Sequence, residues 1–146
     1  MSMQDARPDS FQQAGKADAL LNAMSVDIED WFQVGAFETV IDRGDWNTLE
    51  HRVERNTDAV LALFSDAEIK ATFFTLGWVA KRCPDVIKRL VNEGHELASH
   101  GLAHQRATTM SREQLFSDVA QSKAILEDIS GVKVIGYRAP SFSVND

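Results

Sequence analysis

Apolar positions along the chain change repeatedly between a strand-like and a helix-like pattern. Short runs rich in apolar and β-branched residues predict buried strands over residues 20–28, 71–76, 96–99 and 132–137. Between the first two runs, apolar residues recur at helical spacing and predict an amphipathic helix over residues 48–67. A charged stretch with a central glycine, residues 42–47, is predicted to be a loop.

Helix-boundary signals complete the alternation. Pro84 suits the first turn of a predicted helix over residues 85–92. Ser111 with Gln114 is a capping-box signature, and Gly131 is placed to end the helix that it opens. Strands alternating with helices predict an α/β fold in which βαβ units build a parallel sheet.

The residues best suited to chemistry come directly after the predicted strands. Asp27, Glu29 and Asp30 lie at the end of the first strand, His100 and His104 follow the third, and Arg138 follows the fourth. The carboxyl ends of parallel strands meet at one edge of a sheet, where α/β folds place their sites. We therefore expect these side chains to converge.

A metal site is the chemistry that this set suggests. Imidazole is a common zinc ligand, although the spacing of His100 and His104 also arises by chance on a helix face. Asp27 and Glu29 share one face of an extended strand, and clustered carboxylates need a cation or an arginine to offset their repulsion. A solvated acidic turn is the alternative, but the cluster adjoins an apolar strand and an aromatic pair.

Two histidines and one carboxylate leave coordination positions open, which is typical of catalytic rather than structural sites. A second carboxylate can then take a proton from water activated by the ion, and Arg138 is placed to hold that base. The single cysteine, Cys83, excludes an intrachain disulfide and a cysteine-rich zinc site, and we interpret it as structural.

Bulk composition narrows the class of protein. The 146 residues are 44% hydrophobic and 25% charged, as in one globular domain, and the net charge of −7 argues against nucleic acid as a partner. Residues 1–19 are polar and are predicted to be a flexible leader before a domain over residues 20–146. With no signal-peptide pattern and no membrane-spanning apolar stretch, we expect a cytoplasmic location.

Several further residues have two interpretations. His95 lies five residues before His100, which does not fit a zincin helix, so we expect it to be packed or to support a ligand. Trp31, Trp46 and Trp78 are candidates for stacking on a sugar ring, with buried packing as the simpler interpretation for each.

Three ordered motifs together resemble those of the polysaccharide deacetylase family, also called the NodB-homology or carbohydrate esterase family 4. The first, with a modified acidic pattern similar to an exopolysaccharide-locus branch, is residues 25–31 (Ser-Val-Asp-Ile-Glu-Asp-Trp). The second is residues 100–104 (His-Gly-Leu-Ala-His), and the third is residues 138–142 (Arg-Ala-Pro-Ser-Phe). They cover most of the chain.

The resemblance implies a distorted (β/α) barrel of seven to eight strands, of which this chain would supply four or five as an N-terminal fragment. Further family motifs, which carry another acid and a general-acid histidine, are not found in these residues. The resemblance also implies these roles: Asp27 as general base; Glu29 (or Asp30), His100 and His104 as metal ligands; Arg138 as the residue orienting the base; and Pro140, Ser141 and Trp31 as substrate-binding residues, with a backbone N–H near Ser141 helping to bind the oxyanion.

The implied reaction is hydrolysis of N-acetyl groups on amino sugars of a polysaccharide or oligosaccharide. The implied cofactor is a divalent metal, zinc in the first place, with cobalt, nickel or iron as alternatives. Two other functions stay open. One is hydrolysis of a cyclic amide or ureide within the same superfamily, and the other is a non-catalytic metal- or carbohydrate-binding module.

Overall fold

A computed structural model describes residues 22–144, which form a three-stranded parallel sheet with helices packed against it. The strands are β1 (Met24–Ile28), β2 (Ala71–Thr75) and β3 (Glu96–Ser99), in the order β1-β2-β3. The helices are α1 (Val53–Asp66), α2 (Gly77–Arg82), α3 (Pro84–Asn92) and α4 (Arg112–Ser130). Short 3₁₀ helices cover Gly35–Phe37, Arg43–Asn47, Ala107–Thr109 and Pro140–Phe142. The α/β class and the parallel sheet are confirmed, while the predicted leader over residues 1–19 lies outside the described residues.

The central strand β2 carries the core of the sheet. Its side chains alternate, with Phe73 and Thr75 fully buried and Phe74 on the other, half-buried face. Helices α2 and α3 add Leu90, Val79 and other fully buried residues to the same cluster. Burying this apolar surface is the main driving force that holds the helices against the sheet.

Helix α1 begins at Val53, five residues later than the sequence predicts. The Asp30 carboxylate accepts hydrogen bonds from the backbone N–H groups of Arg52 (2.8 Å) and Val53 (3.2 Å). These are the N–H groups that a helix leaves without partners in its first turn, so Asp30 acts as a cap supplied from far along the chain. The start of α1 therefore depends on a tertiary contact that helical periodicity does not reveal.

The predicted fourth strand over residues 132–137 is wrong: among the described residues this segment makes one parallel bridge, between Tyr137 and Ser99. The backbone at Val134 is bonded elsewhere, because its N–H donates to Glu127 and its carbonyl accepts from Lys123. Both side chains belong to α4. The helix has therefore taken the backbone groups that a longer strand would offer to β3.

The short helix α2 is also absent from the sequence predictions, as is the 3₁₀ helix within the predicted loop over residues 42–47. Six residues are too few to show helical periodicity. The N–H groups of Gly77 and Trp78 at the start of α2 donate to the carbonyls of Gly101 and Leu102, at 2.9 and 2.8 Å. The helix is thus fixed by a contact with the loop that follows β3.

Both boundaries of α4 are confirmed. Ser111 and Gln114 form a complete capping box, and Gly131 ends the helix in the left-handed conformation with φ of 73°. No helix within residues 22–144 combines the length and the apolarity needed to cross a bilayer.

Replacing Asp30 with alanine should lower the free energy of unfolding by about 2–3 kcal/mol, because one buried and one part-buried N–H group lose a charged acceptor. Urea unfolding followed by circular dichroism measures the change. Asp66→Ala, which removes an exposed carboxylate at the other end of α1, is the control and should cost less than about 0.5 kcal/mol. Equal stability of the two variants would contradict the capping role.

Candidate metal and hydrolytic site

The carboxyl ends of the three strands bring the acids and histidines together. Parallel pairing sets Asp27 beside Phe74 of β2, and the strand continues past Ile28 into Glu29. The N–H of His100 donates to the carbonyl of Thr75 at 2.9 Å, which fixes the exit of β3 beside the exit of β2. The convergence that the strand ends predict is therefore present in the structure.

Glu29, His100 and His104 form a group whose ligand atoms all lie within 4.8 Å of one another. Glu29 Oε2 is 2.9 Å from Nε2 of His104 and 3.9 Å from Nε2 of His100. Both imidazoles are buried, with side chains only 3% and 7% exposed. Two imidazole nitrogens and one carboxylate oxygen are a donor set that zinc and similar divalent ions accept.

The tautomer of His100 follows from its hydrogen bond. Nδ1 lies 2.8 Å from the backbone carbonyl of Arg138, and a carbonyl oxygen only accepts, so Nδ1 carries the proton. Nε2 then presents its lone pair toward Glu29. Burial is the main cause that lowers the pKa of His100, which favours the neutral form of the ring. Neutral imidazole with an outward Nε2 is the form that binds a metal.

The environment of the Glu29 carboxylate is suited to a cation. Its Oε2 is buried and makes no hydrogen bond to any described residue, despite its short distance to His104. A buried, unpartnered carboxylate oxygen costs free energy unless a charge or a donor satisfies it. A cation held between Glu29 and the two histidines would satisfy it, so these residues fit a divalent metal.

Asp27 lies next to this group and is held by Arg138. The guanidinium donates from Nη1 to Asp27 Oδ1 at 2.5 Å and from Nη2 to the hydroxyl of Ser25 at 2.8 Å. The other oxygen, Oδ2, is 3.9 Å from Nε2 of His100. The guanidinium stacks over the ring of Phe74, with the Cζ atom of Arg138 3.9 Å from the ring centroid. One oxygen of Asp27 is thus anchored, while the second faces the ligand group.

Asp30 is not part of the ligand group. One of its oxygens accepts from the N–H of Trp31 at 2.9 Å, and the other accepts from the first two N–H groups at α1. The geometry therefore favours Glu29 over Asp30 as the carboxylate ligand. The alternation of side chains past the end of β1 sends the two acids in different directions.

The three residues expected to bind substrate occupy different environments. The indole N–H of Trp31 donates to the carbonyl of Glu50 at 3.0 Å, and its ring packs against Phe37. Pro140 is fully buried, whereas Ser141 is exposed with a positive φ of 55°. Of the other tryptophans, Trp46 is buried in an aromatic cluster with Trp78, as the packing interpretation predicts.

The histidine and cysteine set aside in the sequence have structural contacts. Nδ1 of His95 accepts from the N–H of Ala71 at 3.2 Å, and its ring packs edge-on against Phe73. Cys83 precedes α3, and burial raises the pKa of its thiol. Neither residue belongs to the ligand group.

Helix α4 contributes two residues to the site's support that the sequence did not indicate. Asp118 accepts from the N–H of Leu102 at 2.9 Å, and Ser122 donates to the carbonyl of Gly101 at 2.8 Å. Gly101 has a φ of 83°, and a Cβ there would lie 2.9 Å from Asp118. The spacing of four residues on one helix face was the available signal, but it has no meaning without the loop that it meets.

The chain belongs to the polysaccharide deacetylase family, whose model matches residues 40–146. The matched range includes both histidines and Arg138 but begins after the acidic cluster. The contacts in the structure are what connect the acids to the histidines and to Arg138. A peptidoglycan-N-acetylglucosamine deacetylase of Bacillus cereus is 32% identical over 90 residues, covering 62% of this chain and 42% of that protein. The chain thus spans less than half of that relative.

Solved structures share the fold. A putative polysaccharide deacetylase from Mycobacterium smegmatis superposes with a TM-score of 0.69 at 22% identity, over 84% of this chain and 44% of the other. A CE4 family pseudoenzyme from Bacillus anthracis superposes with a TM-score of 0.66 at 18% identity, over 85% of this chain and 36% of the other. The described residues therefore adopt part of the family fold, the partial barrel that the resemblance implies.

Asp118→Ala should weaken metal binding about tenfold, because the loop between the two histidines loses one of its anchors. Competition against a chromogenic chelator measures the affinity. Asp118→Asn keeps an oxygen acceptor for the N–H of Leu102 and should stay within about threefold of the natural protein. Asp128→Ala, an exposed change on the same helix, is the control. Equal affinity of the alanine and natural proteins would refute the anchoring role.

Proposed function

We propose that this chain carries the metal-binding part of a hydrolase that removes N-acetyl groups from amino sugars of a polysaccharide or peptidoglycan. The observation that supports this most is the grouping of Glu29, His100 and His104 beside an arginine-held Asp27. Membership of the polysaccharide deacetylase family and the name of the Bacillus cereus relative supply the substrate class.

Glu29, His100 and His104 would hold the ion, and zinc suits two nitrogens and one oxygen best, with cobalt, nickel or iron as alternatives. When bound, a divalent ion of this kind supplies Lewis-acid polarisation and makes water a stronger acid. The three residues leave part of the ion's surroundings open to water and substrate. The buried imidazoles keep the ligand atoms away from bulk solvent.

Asp27 is the proposed general base. Its Oδ1 is bonded to Arg138, and its Oδ2 faces the ligand group at 3.9 Å from His100. An attacking water between Oδ2 and the acetyl carbonyl would lose its proton to this oxygen. Arg138 keeps the carboxylate in one orientation and favours its charged, proton-accepting form.

Trp31 and Ser141 are proposed to contact the sugar, and a backbone N–H near Ser141 to stabilise negative charge on the acetyl oxygen. The positive φ of Ser141 supports the second role, because such strained turns are common where a backbone N–H has a functional orientation. Pro140, which is buried, is proposed to fix this turn.

Substituting any one of the three ligands should weaken metal binding strongly. In Glu29→Gln, His100→Ala and His104→Ala, we expect less than about one tenth of the zinc affinity, because each removes one of three donors. Elemental analysis after dialysis and chelator competition give stoichiometry and affinity. Asp30→Asn serves as the paired control, since it should keep the metal while losing stability. Zinc bound with unchanged affinity in Glu29→Gln would refute the ligand set.

Asp27→Asn separates binding from chemistry. We expect the variant to keep its metal and to release acetate from N-acetylglucosamine oligomers 10²- to 10⁴-fold more slowly, roughly the contribution of a general base. The assay compares the variant with the natural protein, each supplied with zinc. Unchanged turnover in Asp27→Asn would assign the base to another residue.

If the natural protein binds zinc at the three ligands but releases no acetate, the binding-module alternative holds instead. Acetate release from amino sugars, together with no turnover of cyclic amides or ureides, would exclude both alternatives.

A further inference from the structure

A cavity of about 250 Å³ opens beside the ligand group, on the side of the segment that follows β1. His104 forms one wall of it, so the cavity and the metal-binding group share a residue. Phe32, Val34 and Ile41 provide apolar lining. Its volume is close to that of a single sugar ring with its substituents, and its lining combines aromatic and polar groups as small-ligand sites do.

Two buried donors among the lining residues have no partner. Gln33 and Trp46 are only 3% and 4% exposed, and neither Nε2 of Gln33 nor Nε1 of Trp46 is hydrogen-bonded to a described residue. The orientation of the Gln33 amide is set by its Oε1, which accepts from the N–H of Asp30 at 2.7 Å. The Nε2 group is therefore a true donor at that position. Each unpartnered donor costs free energy that a ligand oxygen would recover.

Charges around the cavity restrict the ligand further. Glu38, Asp42 and Arg43 line it together with Gln33 and Trp46. Glu38 lies 3.3 Å from Arg106, Asp42 accepts from the N–H of Gly44, and Arg43 donates to the carbonyl of His104. Glu38 is paired with Arg106, and the positive charge of Arg43 offsets that of Asp42, so the lining has no strong excess of either sign to attract an ion. Unpartnered N–H donors also do not suit a cation. A neutral group with a hydrogen-bond acceptor fits best.

We propose that this cavity binds the acetamido group of the sugar next to the one being hydrolysed. The acetamido carbonyl is a neutral acceptor for Gln33 and Trp46, and its methyl group matches the apolar lining. This inference rests on the proposed function, because His104 links the cavity to the group where an N-acetylated sugar would react. It assigns a preference for substrates that carry acetyl groups on neighbouring sugars.

Direct binding is tested with N-acetylglucosamine and with glucose, which lacks the acetamido group. The indole N–H resonance of Trp46, identified by its loss in Trp46→Phe, reports on the cavity in ¹⁵N spectra of the natural protein. We expect saturable shifts with N-acetylglucosamine and at least about fivefold weaker binding of glucose, as for one lost hydrogen bond. No shift at tens of millimolar N-acetylglucosamine, or equal binding of glucose, would overturn the proposal.

Substitution tests the two donors separately. Gln33→Glu keeps the acceptor for Asp30 but removes the N–H donor, and Trp46→Phe keeps an aromatic ring but removes the indole N–H. Each should raise the KM for an N-acetylated oligosaccharide about fivefold and leave kcat within about twofold, because neither residue touches the reacting acetyl group. Gln121→Glu makes the same chemical change on the exposed face of α4 and should alter neither constant. Urea unfolding confirms that each variant is folded.

Zinc stoichiometry on the same samples separates this proposal from the proposed function. Zinc bound and acetate released, with unchanged KM in both cavity variants, would overturn the cavity's role and leave the hydrolase standing. N-acetylglucosamine bound at Trp46 without zinc at the ligands would overturn the hydrolase and support the cavity as an acetamido site. If Gln33→Glu does not fold, the KM of Trp46→Phe and the binding of glucose decide.

Discussion

Electrostatic repulsion among three carboxylates within four residues is the constraint on which this structure depends. Asp27, Glu29 and Asp30 lie at the end of β1, and each is matched with a different kind of partner. Arg138 neutralises the first, backbone N–H groups at α1 satisfy the third, and the second faces two histidines. Because like charges this close are unfavourable without compensation, the same contacts that fix the loop after β1 also fix the site.

The loop after β3 has to bring two histidines to the carboxylate of Glu29. It must turn sharply enough for His100 and His104 to approach one carboxylate, and a left-handed glycine allows this turn. The start of α2 and the inner face of α4 then bind the loop's carbonyls and N–H groups. The loop is thus anchored by two helices that contribute no residue to the Glu29, His100 and His104 group, in addition to the bonds that His100 itself makes.

How much the sequence could predict depends on the range of the interactions involved. Strand ends in a parallel sheet meet by topology alone, so the convergence of Asp27, the histidine pair and Arg138 was predictable from hydrophobic runs and connection order. The different positions of Glu29 and Asp30 were not predictable, because Asp30 caps a helix more than twenty residues away.

The errors in the fold have the same cause. Residues 132–137 have the composition of a strand, yet Lys123 and Glu127 of α4 take the backbone groups of Val134. Local propensity predicts what a segment prefers, while the competition between β3 and α4 is decided by tertiary contacts. The capping box at Ser111 was predictable because its two partners are three residues apart.

Arg138 acts on the site through two chemically separate groups. Its guanidinium holds the carboxylate of Asp27, while its backbone carbonyl fixes the tautomer of His100. Replacing Arg138 with a residue that has no cationic side chain deletes the first contact, whereas the carbonyl of the second contact belongs to every amino acid. If the proposed function holds, a descendant of this protein could lose turnover through one codon and still inherit the group formed by Glu29, His100 and His104. In such a lineage, a retained ligand group would be no record of retained catalysis.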